Sequence, residues 1–407
     1  MINCKKAEKL LSTPYQCENF CLQNRVCFQP MEGCDGTEEG APSELTENKY
    51  LSYAKGGAAL IWFEATATVP EGRANPRQLY ICEKTYASFA LLVEKIKETC
   101  LRENGYEPKI ICQLTHSGRQ SVKPMIAYRH PIYEEQRPAN DGMIVKDEYL
   151  DTLPEKYAEA AKLAKKAGFD GMDVKSCHGY LFQELLSAFS RPGRYGGSFE
   201  NRTKLYIDSV KAVKSALSGD SILATRLSVS DMLPYPYGFG TDAENNLDFT
   251  EPDKLIELLQ NEGISLLNVT IGNPYYNPHV NRPYRKGAYN APEPAEVGLA
   301  RFVTAEKHIK EKFRNLTIVG SGISYYRENL IEKAEEQITL GICDIIGFGR
   351  ASLAYPMLYK DYLFNSFDYK KCCLACSKCT LLMRQGCVSG CAVFNEYYRN
   401  LLKTIEM

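Results

Sequence analysis

A chain of 407 residues is long enough for one large domain or two of medium size. Its 49 lysines and arginines nearly balance its 50 aspartates and glutamates, so charge gives no reason to expect nucleic acid or an anionic membrane as a partner. Hydrophobic residues make up 44% and charged residues 24%, as in ordinary soluble proteins, and no stretch approaches the roughly 18–20 apolar residues of a membrane helix.

The N-terminus and the cysteine content indicate a cytoplasmic protein. Residues 1–9, MINCKKAEK, lack the apolar core of a signal peptide. Sixteen cysteines without a leader favour a reducing compartment, so most of them are expected to be small core residues. The N-terminal cysteines are irregularly spaced and give only a weak indication of metal ligands; they are Cys4, Cys17, Cys21, Cys27 and Cys34.

Short apolar runs alternate with amphipathic segments, which is typical of parallel strands joined by helices. The predicted strands are residues 25–31, 58–64, 109–114, 171–175, 222–226, 265–270, 316–319 and 344–347. The predicted helices include residues 154–167, 201–217, 251–262, 304–313 and 326–340. This order predicts an α/β fold, a (β/α)8 TIM barrel over residues 1–367. A doubly wound sheet is the alternative, and the absence of an early Gly-x-Gly-x-x-Gly turn disfavours it.

Two long loops are predicted to lie over the C-terminal face of the barrel, where TIM barrels build their active sites. Residues 117–148 follow the third strand, and residues 272–294 follow the sixth. Tyr275, Tyr276 and His279 in the second loop are candidate substrate contacts. A surface lid without a chemical role is the alternative for that loop.

The densest polar group follows the fourth strand and consists of Lys175, His178 and Tyr180. A lysine and a histidine can donate hydrogen bonds to a carbonyl oxygen, and a nearby tyrosine can deliver a proton. Alternatively, Lys175 pairs with Asp173 on the same strand face. Both can hold, because an inward lysine needs a partner in either case. His178 alone would more often be a structural residue.

Glycine-rich turns follow the last two strands. They are Gly320-Ser321-Gly322 and Gly347-Phe348-Gly349-Arg350. Glycines at these places let backbone amides approach a phosphate, and the seventh and eighth loops are the usual phosphate site of TIM barrels. Two such turns in successive loops, together with an arginine, indicate a phosphate-bearing cofactor.

Residues 368–407 are predicted to form a separate, short cysteine-rich extension. Six of the sixteen cysteines lie within the last 36 residues. Cys373, Cys376 and Cys379 follow a C-x2-C-x2-C spacing, and Cys391 comes after eleven more residues. This spacing suits an iron–sulfur cluster and, taken alone, suits a structural zinc ion about as well. Cys372 and Cys387 are spare and could replace an assigned ligand.

Several segments together resemble the old yellow enzyme family of FMN-dependent oxidoreductases. The resemblance is strongest to the branch that contains 2,4-dienoyl-CoA reductase, enoate reductase and trimethylamine dehydrogenase, and it covers nearly the whole chain. The matching segments are NRVCFQPM at 24–31, EAT at 64–66, PEGR at 70–73, QLTHSGR at 113–119, HGYL at 178–181, RYGGSFENR at 194–202, RLS at 226–228 and GFGR at 347–350. The YGGSFENR stretch is highly specific.

The resemblance implies a bound FMN and assigns residues to it. Gln113 would bind the pyrimidine edge of the isoalloxazine ring, and Arg226 would bind its N1–O2 region. The ring itself would be lined by Pro30, Met31, Glu32 and Ala65. The phosphate would be bound by Gly322, Gly349 and Arg350. Lys175 and His178 would hold a substrate carbonyl, and Tyr180 would protonate the α-carbon. Lys175 departs from the family, which usually has histidine there, and Glu32 replaces a small or thiol residue of some relatives.

The resemblance also implies a [4Fe-4S] cluster held by Cys373, Cys376, Cys379 and Cys391. The Asn-Pro that usually follows the last ligand in relatives is absent after Cys391. In multidomain relatives, nucleotide-binding domains follow the cluster, whereas this chain ends 16 residues past Cys391. The FAD and NAD(P)H modules of those relatives are therefore expected to be missing.

These implications predict an FMN-dependent ene-reductase that reduces the C=C bond of an α,β-unsaturated carbonyl compound. Its electrons would come from NAD(P)H or from a partner electron-donor protein. One alternative is an amine dehydrogenase or demethylase of the trimethylamine dehydrogenase type, and another is a non-catalytic electron-transfer subunit or redox sensor. The charge balance disfavours a zinc-ribbon nucleic-acid binder. Substrate identity and oligomeric state stay open, with a homo-oligomer among the options.

Overall fold

The computed structural model describes residues 9–136, 138–217, 219 and 221–406. Cys4 and the other residues before Lys9 lie outside these residues. Within the described part of the chain, no helix combines the length and the apolar character that crossing a membrane requires.

Eight parallel strands close into a barrel, which confirms the predicted fold. In chain order they are β1 Val26–Phe28, β2 Leu60–Ala67, β3 Lys109–Thr115, β4 Gly171–Val174, β5 Ile222–Ser228, β6 Leu266–Thr270, β7 Thr317–Gly320 and β8 Ile345–Phe348. Each strand pairs with the next, and β8 pairs with β1 to close the barrel. β1 is shorter than predicted because Pro30, which follows it, has no amide hydrogen to donate to a neighbouring strand.

Helices surround the barrel and cover its strands. They span Glu44–Gly56, Tyr86–Asn104, Pro131–Gln136, Asp147–Lys166, Leu181–Leu186, Phe199–Ala216, Thr250–Asn261, Pro278–Asn281, Ala295–Lys312, Leu330–Thr339, Arg350–Ala354, Leu358–Leu363, Lys378–Arg384 and Glu396–Glu406. The helix predicted from residue 154 begins earlier, because Leu150 and Leu153 continue the buried stripe of Tyr157. The helix predicted from residue 304 likewise begins at Ala295, where Leu299 and Phe302 extend its buried face.

The lower part of the barrel interior is filled by apolar side chains from the strands. Trp62, Ile111, Leu266 and Ile345 belong to this buried cluster. A short antiparallel pair before β1, Tyr15–Gln16 and Cys21–Leu22, brings Phe20 and Leu22 into the same cluster. The N-terminal end of the barrel is therefore closed, and a ligand site of this barrel must lie at the opposite end.

A layer of polar side chains replaces the apolar filling near the carboxyl ends of the strands. The Asn268 side chain donates a hydrogen bond to the side-chain oxygen of Gln29 at 2.7 Å. The side-chain nitrogen of Gln29 in turn donates to the backbone carbonyl of Gly320 at 3.3 Å. Across the barrel, Trp62 donates to Asp173 at 2.8 Å. These bonds hold buried polar groups in fixed positions, as their burial requires.

The C-terminal segment, residues 368–406, packs over the mouth of the barrel. Its helices contribute Leu382, Tyr398 and Leu402 to a small apolar cluster of their own. Two backbone hydrogen bonds join the segment to loops at the mouth: the Ser389 amide donates to the Gly33 carbonyl at 2.6 Å, and the Arg285 amide donates to the Ala375 carbonyl at 3.0 Å. The cysteine-bearing residues thus lie beside the face where the polar layer begins.

Candidate active site

A cavity of about 410 Å³ opens at the carboxyl ends of the strands. Its volume lies within the range of small-molecule and cofactor sites. Every residue that the sequence assigned to catalysis or to flavin binding lines it, namely Lys175, His178, Tyr180, Pro30, Met31, Glu32, Ala65, Gln113, Arg226, Gly322, Gly349 and Arg350. The structure thus brings together side chains that are up to 320 positions apart in the sequence, from Pro30 to Arg350.

Asp173 organises the polar floor of this cavity. One of its oxygens accepts hydrogen bonds from Gln113 at 2.6 Å and from Trp62 at 2.8 Å, and the other accepts from the Arg226 backbone amide at 2.8 Å. The amide nitrogen of Gln113 is thereby committed to Asp173, which leaves the Gln113 carbonyl oxygen available to a ligand. Asp173 therefore orients two of the residues predicted to bind FMN.

The predicted phosphate and N1–O2 positions present unsatisfied donors. Arg226 Nε and one terminal nitrogen of Arg350 are buried without a hydrogen-bond partner among the described residues. Gly322 has a φ of +82°, a conformation that favours glycine. Buried guanidinium groups that lack partners are costly unless an anionic or polar ligand engages them, so these residues fit an FMN.

The predicted carbonyl-binding group has a different arrangement from a simple lysine–aspartate pair. The Lys175 ammonium lies 3.8 Å from the centre of the Tyr180 ring, a cation–π contact, whereas Asp173 is engaged by the polar floor. Lys175 thus forms no direct ion pair with Asp173 among the described residues. Burial lowers the pKa of Lys175, although the Asp173 charge still acts to raise it. Burial also lowers the pKa of His178 well below its usual value, with Arg226 and Lys175 adding to the effect, so its imidazole is neutral.

The backbone at His178 is held in an uncommon conformation. His178 has a φ of 65°, and Gly179 follows with a φ of 70°. A side chain at Gly179 would meet the Asn273 side chain at 2.4 Å, so only glycine fits there. Conformations of this kind persist where surrounding contacts impose them, and they cluster at functional sites.

The cavity lining also includes polar residues to which the sequence assigned no role in flavin binding or catalysis. Cys34 and Asn75 line the cavity beside Glu32, and Arg282 lines it from the loop after β6. Burial lowers the pKa of Arg282 to about 10, and its Nε is buried without a partner in the described residues. Asn75 lies two residues beyond the PEGR segment, and this closeness to a family motif was the only feature of the sequence that could have indicated a role at the cavity. Arg282 lies in a loop that matches no motif.

Of the three substrate contacts predicted in that loop, only Tyr275 lines the cavity. Tyr276 packs against Tyr133, with ring centres 6.2 Å apart. His279 lies at the opposite side of the loop, where its Nδ1 is 2.5 Å from the Tyr289 hydroxyl. Tyr276 and His279 therefore do not line the cavity, contrary to the prediction, because their side chains pack against Tyr133 and Tyr289 instead.

A buried charge cluster supports the cavity loop that follows β1. Lys49 contacts Asp35 at 3.1 Å and Glu64 at 2.5 Å, and the second oxygen of Glu64 accepts from the Gly33 amide at 2.7 Å. Burial raises the pKa of Glu64 to about 7. A register shift between Phe63 and Thr66 lets Glu64 face this cluster while Ala65 faces the cavity.

The four predicted cluster ligands influence one another electrostatically. Burial raises the pKa of Cys373 to about 11, and Cys379 and Cys391 contribute to the shift. Burial likewise raises the pKa of Cys391, and Cys379 and Cys376 contribute there. Cys379 also lines the cavity. One of the four predicted ligands therefore lies at the predicted flavin site.

The two spare cysteines have other neighbours. Cys372 is buried beside Arg327 and Asp368, and Cys387 packs against the small apolar cluster of the C-terminal segment. Among the residues that the structure describes, no three cysteine, histidine or carboxylate side chains surround a point suited to one metal ion. Thiols of this spacing are donors for a structural zinc ion. Thiols alone are the usual donors of iron–sulfur clusters.

Fold and cavity together define the class of this protein, a TIM barrel whose catalytic face carries a site for a phosphorylated flavin. Residues 10–362 match the NADH:flavin oxidoreductase / NADH oxidase family. The chain belongs to this family of FMN-dependent NADH and NADPH oxidoreductases, which includes old yellow enzyme.

Individual relatives agree with this assignment. The NADH oxidase of Thermoanaerobacter brockii is 26% identical over 380 residues, which are 91% of this chain and 52% of the relative. The NADPH dehydrogenase of Bacillus pumilus is 32% identical over 273 residues, 65% of this chain and 74% of the relative. This chain thus spans about half the length of the first of these proteins.

A solved structure shows the same fold. The complex of 2-naphthoyl-CoA reductase with 2-naphthoyl-CoA aligns with a TM-score of 0.78 and 20% identity. The alignment covers 97% of this chain and 58% of that one. Because the covered part of this chain extends beyond residue 362, the shared architecture includes residues of the C-terminal segment.

Proposed function

We propose that this protein is an ene-reductase that reduces the C=C bond of an α,β-unsaturated carbonyl compound. The observation that carries the proposal is the convergence of Lys175, His178 and Tyr180 on the cavity that all predicted flavin-binding residues line. Two hydrogen-bond donors and one acidic hydroxyl beside a hydride source are the groups that such a reduction needs.

In this proposal FMN is held by the residues with unsatisfied donors. Arg226 would bind the N1–O2 region of the ring, and Arg350 with Gly322 and Gly349 would bind the phosphate. Pro30, Met31, Glu32, Ala65 and Gln113 would line the ring system. When bound, FMN supplies the hydride, and NAD(P)H is the expected source of its electrons.

The protein's own groups would act on the substrate oxygen and on the α-carbon. Lys175 and neutral His178 would donate hydrogen bonds to the carbonyl oxygen, where negative charge develops as the β-carbon gains a hydride. Tyr180 would donate its proton to the α-carbon. The buried cations Lys175, Arg226 and Arg282 favour a carbonyl or anionic substrate and disfavour a protonated amine, which argues against the amine dehydrogenase alternative.

We also propose that Cys373, Cys376, Cys379 and Cys391 hold a [4Fe-4S] cluster. The position of Cys379 on the cavity wall supports this, because electrons could then pass between the cluster and the flavin site. In this proposal residues 368–407 are a cluster-binding extension of a barrel formed by residues 1–367.

The proposal is tested with protein that has been reconstituted with FMN and iron–sulfur under anaerobic conditions and then reduced with dithionite. We expect at least one member of a panel of enones, enoates and dienoyl-CoA thioesters to reoxidise the flavin. Failure of the whole panel, while ferricyanide still reoxidises it, would contradict the ene-reductase assignment. Bleaching of the oxidised flavin by added amines would instead favour the dehydrogenase alternative.

A further inference from the structure

Glu32, Tyr180 and Asn75 form a hydrogen-bonded chain in the cavity wall. The Tyr180 hydroxyl donates to one Glu32 oxygen at 3.3 Å, and the Asn75 amide group donates to the other at 3.2 Å. The Asn75 amide nitrogen also contacts the Cys34 sulfur at 3.3 Å. The Asn75 side chain is therefore fixed with its donor toward the carboxyl group.

This arrangement determines where a proton on Glu32 can be. The Asn75 amide group engages Oε1 at 3.2 Å, whereas Oε2 faces the Tyr180 hydroxyl at 3.3 Å, so a proton carried on Oε2 lies next to the phenolic oxygen. A proton at that position points along the hydrogen bond to the phenolic oxygen. The geometry thus suits proton transfer from Glu32 to Tyr180 as well as the reverse.

The charged groups around Glu32 permit both of its protonation states. Burial raises its pKa, whereas Lys175, the hydrogen bond from Tyr180 and, more weakly, Lys49 oppose that rise. Asp35 adds a small further rise. Lys49 is itself neutralised by Asp35 and Glu64, and Cys34 and Tyr275 are the remaining titratable neighbours. Burial therefore favours the protonated form of Glu32, and the Lys175 charge and the Tyr180 hydroxyl favour the ionised form.

We propose that Glu32 is the residue that returns a proton to Tyr180 after each turnover. The inference rests on the proposed function, in which Tyr180 protonates the α-carbon of the substrate. In that step the Tyr180 O–H bond breaks and a C–H bond forms at the α-carbon. The Glu32 O–H bond then breaks as the Tyr180 O–H bond re-forms, and Glu32 regains its proton from water at the cavity mouth. The relay moves only protons, because the two electrons of the reduction come from NAD(P)H through the flavin.

A relay differs from a purely electrostatic role in its effect on successive turnovers. Tyr180 carries its own proton into the first turnover, so the first reoxidation of reduced E32Q does not use the relay and serves as the internal reference for the later turnovers of the same variant. Later turnovers need the relay and should slow by roughly tenfold or more, with a larger solvent isotope effect. E39Q removes a fully exposed carboxylate from the same segment and serves as the matched control.

The kinetic experiment uses FMN-loaded, pre-reduced full-length protein with cyclohex-2-enone, first as a single turnover and then with excess NADPH. Equal slowing of the first and later turnovers in E32Q, or no slowing at all, would overturn the relay. Selective slowing of later turnovers in E32Q but not in E39Q is the expected result.

An infrared pH titration of the oxidised protein tests the same pair without catalysis. We expect a protonated-carboxyl band at neutral pH that is lost in E32Q, retained in E39Q and shifted in Y180F. Absence of that band from the wild-type protein, or its indifference to Y180F, would overturn the relay. If cyclohex-2-enone does not react with the wild-type enzyme, the proposed function fails for that substrate. The infrared result then tests the hydrogen-bonded pair of Glu32 and Tyr180 independently of catalysis.

Discussion

The barrel mouth and the cysteine-bearing segment contrast in how far their sites are formed in advance. At the mouth, Asp173 fixes Gln113 and the Arg226 backbone, and Asn268 fixes Gln29, so the floor of the cavity is rigid. In the C-terminal segment the predicted ligands influence one another electrostatically, yet the described residues offer no ready-made position for a single ion. The strand ends of a closed barrel preorganise a site, whereas the ligands of a metal site are often gathered only when the metal binds.

The strongest test of the barrel mouth is Y180F. We expect the reoxidation of reduced enzyme by an unsaturated carbonyl to slow by about 10²–10⁴-fold, the usual contribution of a general acid. Reduction of the flavin by NAD(P)H should stay within about threefold of wild type. Anaerobic stopped-flow absorbance separates the two half-reactions, and equal loss in both would show that Tyr180 acts on the structure of the cavity instead.

A second test concerns pH and the loop after β3. His116 is buried, its Nδ1 accepts from the Gly118 amide at 3.0 Å, and burial lowers its pKa to about 4. In the unfolded chain the histidine pKa is near 6.5, so the unfolded state takes up a proton on His116 more readily than the folded state. The contribution of His116 to the unfolding free energy is therefore fully present above about pH 6.5 and is lost as the pH falls toward 4. The loss approaches about 3 kcal/mol.

Urea unfolding at neutral and acidic pH measures this effect. H116Q should show a smaller fall in unfolding free energy over that window than wild type. Equal pH dependence in both proteins would show that His116 is not responsible for acid sensitivity.

A third test asks whether the half-buried Arg350 at the second glycine turn holds a phosphate. R350M should weaken FMN binding by roughly tenfold to a hundredfold, because a charge-assisted hydrogen bond to phosphate is worth about 1.5–3 kcal/mol. R314M removes an exposed arginine and should leave FMN affinity unchanged. Titration of the apoprotein with FMN, followed by flavin fluorescence, gives both dissociation constants, and equal values for the two variants would contradict the assignment.

The smallest expected change bears on the cysteine-bearing segment. C379S should reduce bound iron at least about twofold, since it removes one of four thiolates, whereas C387S should retain wild-type iron. Iron and FMN quantitation in the same samples shows whether the two regions depend on each other. Loss of FMN along with iron in C379S would mean that the cavity needs the cluster for its order, and equal iron in both variants would refute Cys379 as a ligand.

The barrel was predictable because its strands carry a repeated local signal. Buried strands of parallel sheets appear as apolar runs, and glycine turns mark β7 and β8. Helix starts were less accurate, as at Asp147 and Ala295, because the continuing buried face and not a local cap extends those helices. The ligand set of the C-terminal segment and the boundary near residue 368 remain predictions.

The site was predictable where residues follow strands and unpredictable where loops return to it. Lys175, Gln113 and Arg226 lie on or just after strands, so a closed barrel directs them to one mouth. Asn75, Cys34 and Arg282 reach the same cavity through loop paths that no periodicity encodes. The same reason explains why Tyr275 faces the cavity while Tyr276 and His279 do not.

The sequence by itself determined the barrel, the family and the residue types at the strand ends, because these depend on local patterns and on motifs. Only the tertiary structure decided which groups touch. It separated Lys175 from Asp173, joined Glu32 to Tyr180, and placed Cys379 on the cavity wall. Such contacts depend on side-chain directions and loop closure across the fold, which the order of residues along the chain does not display.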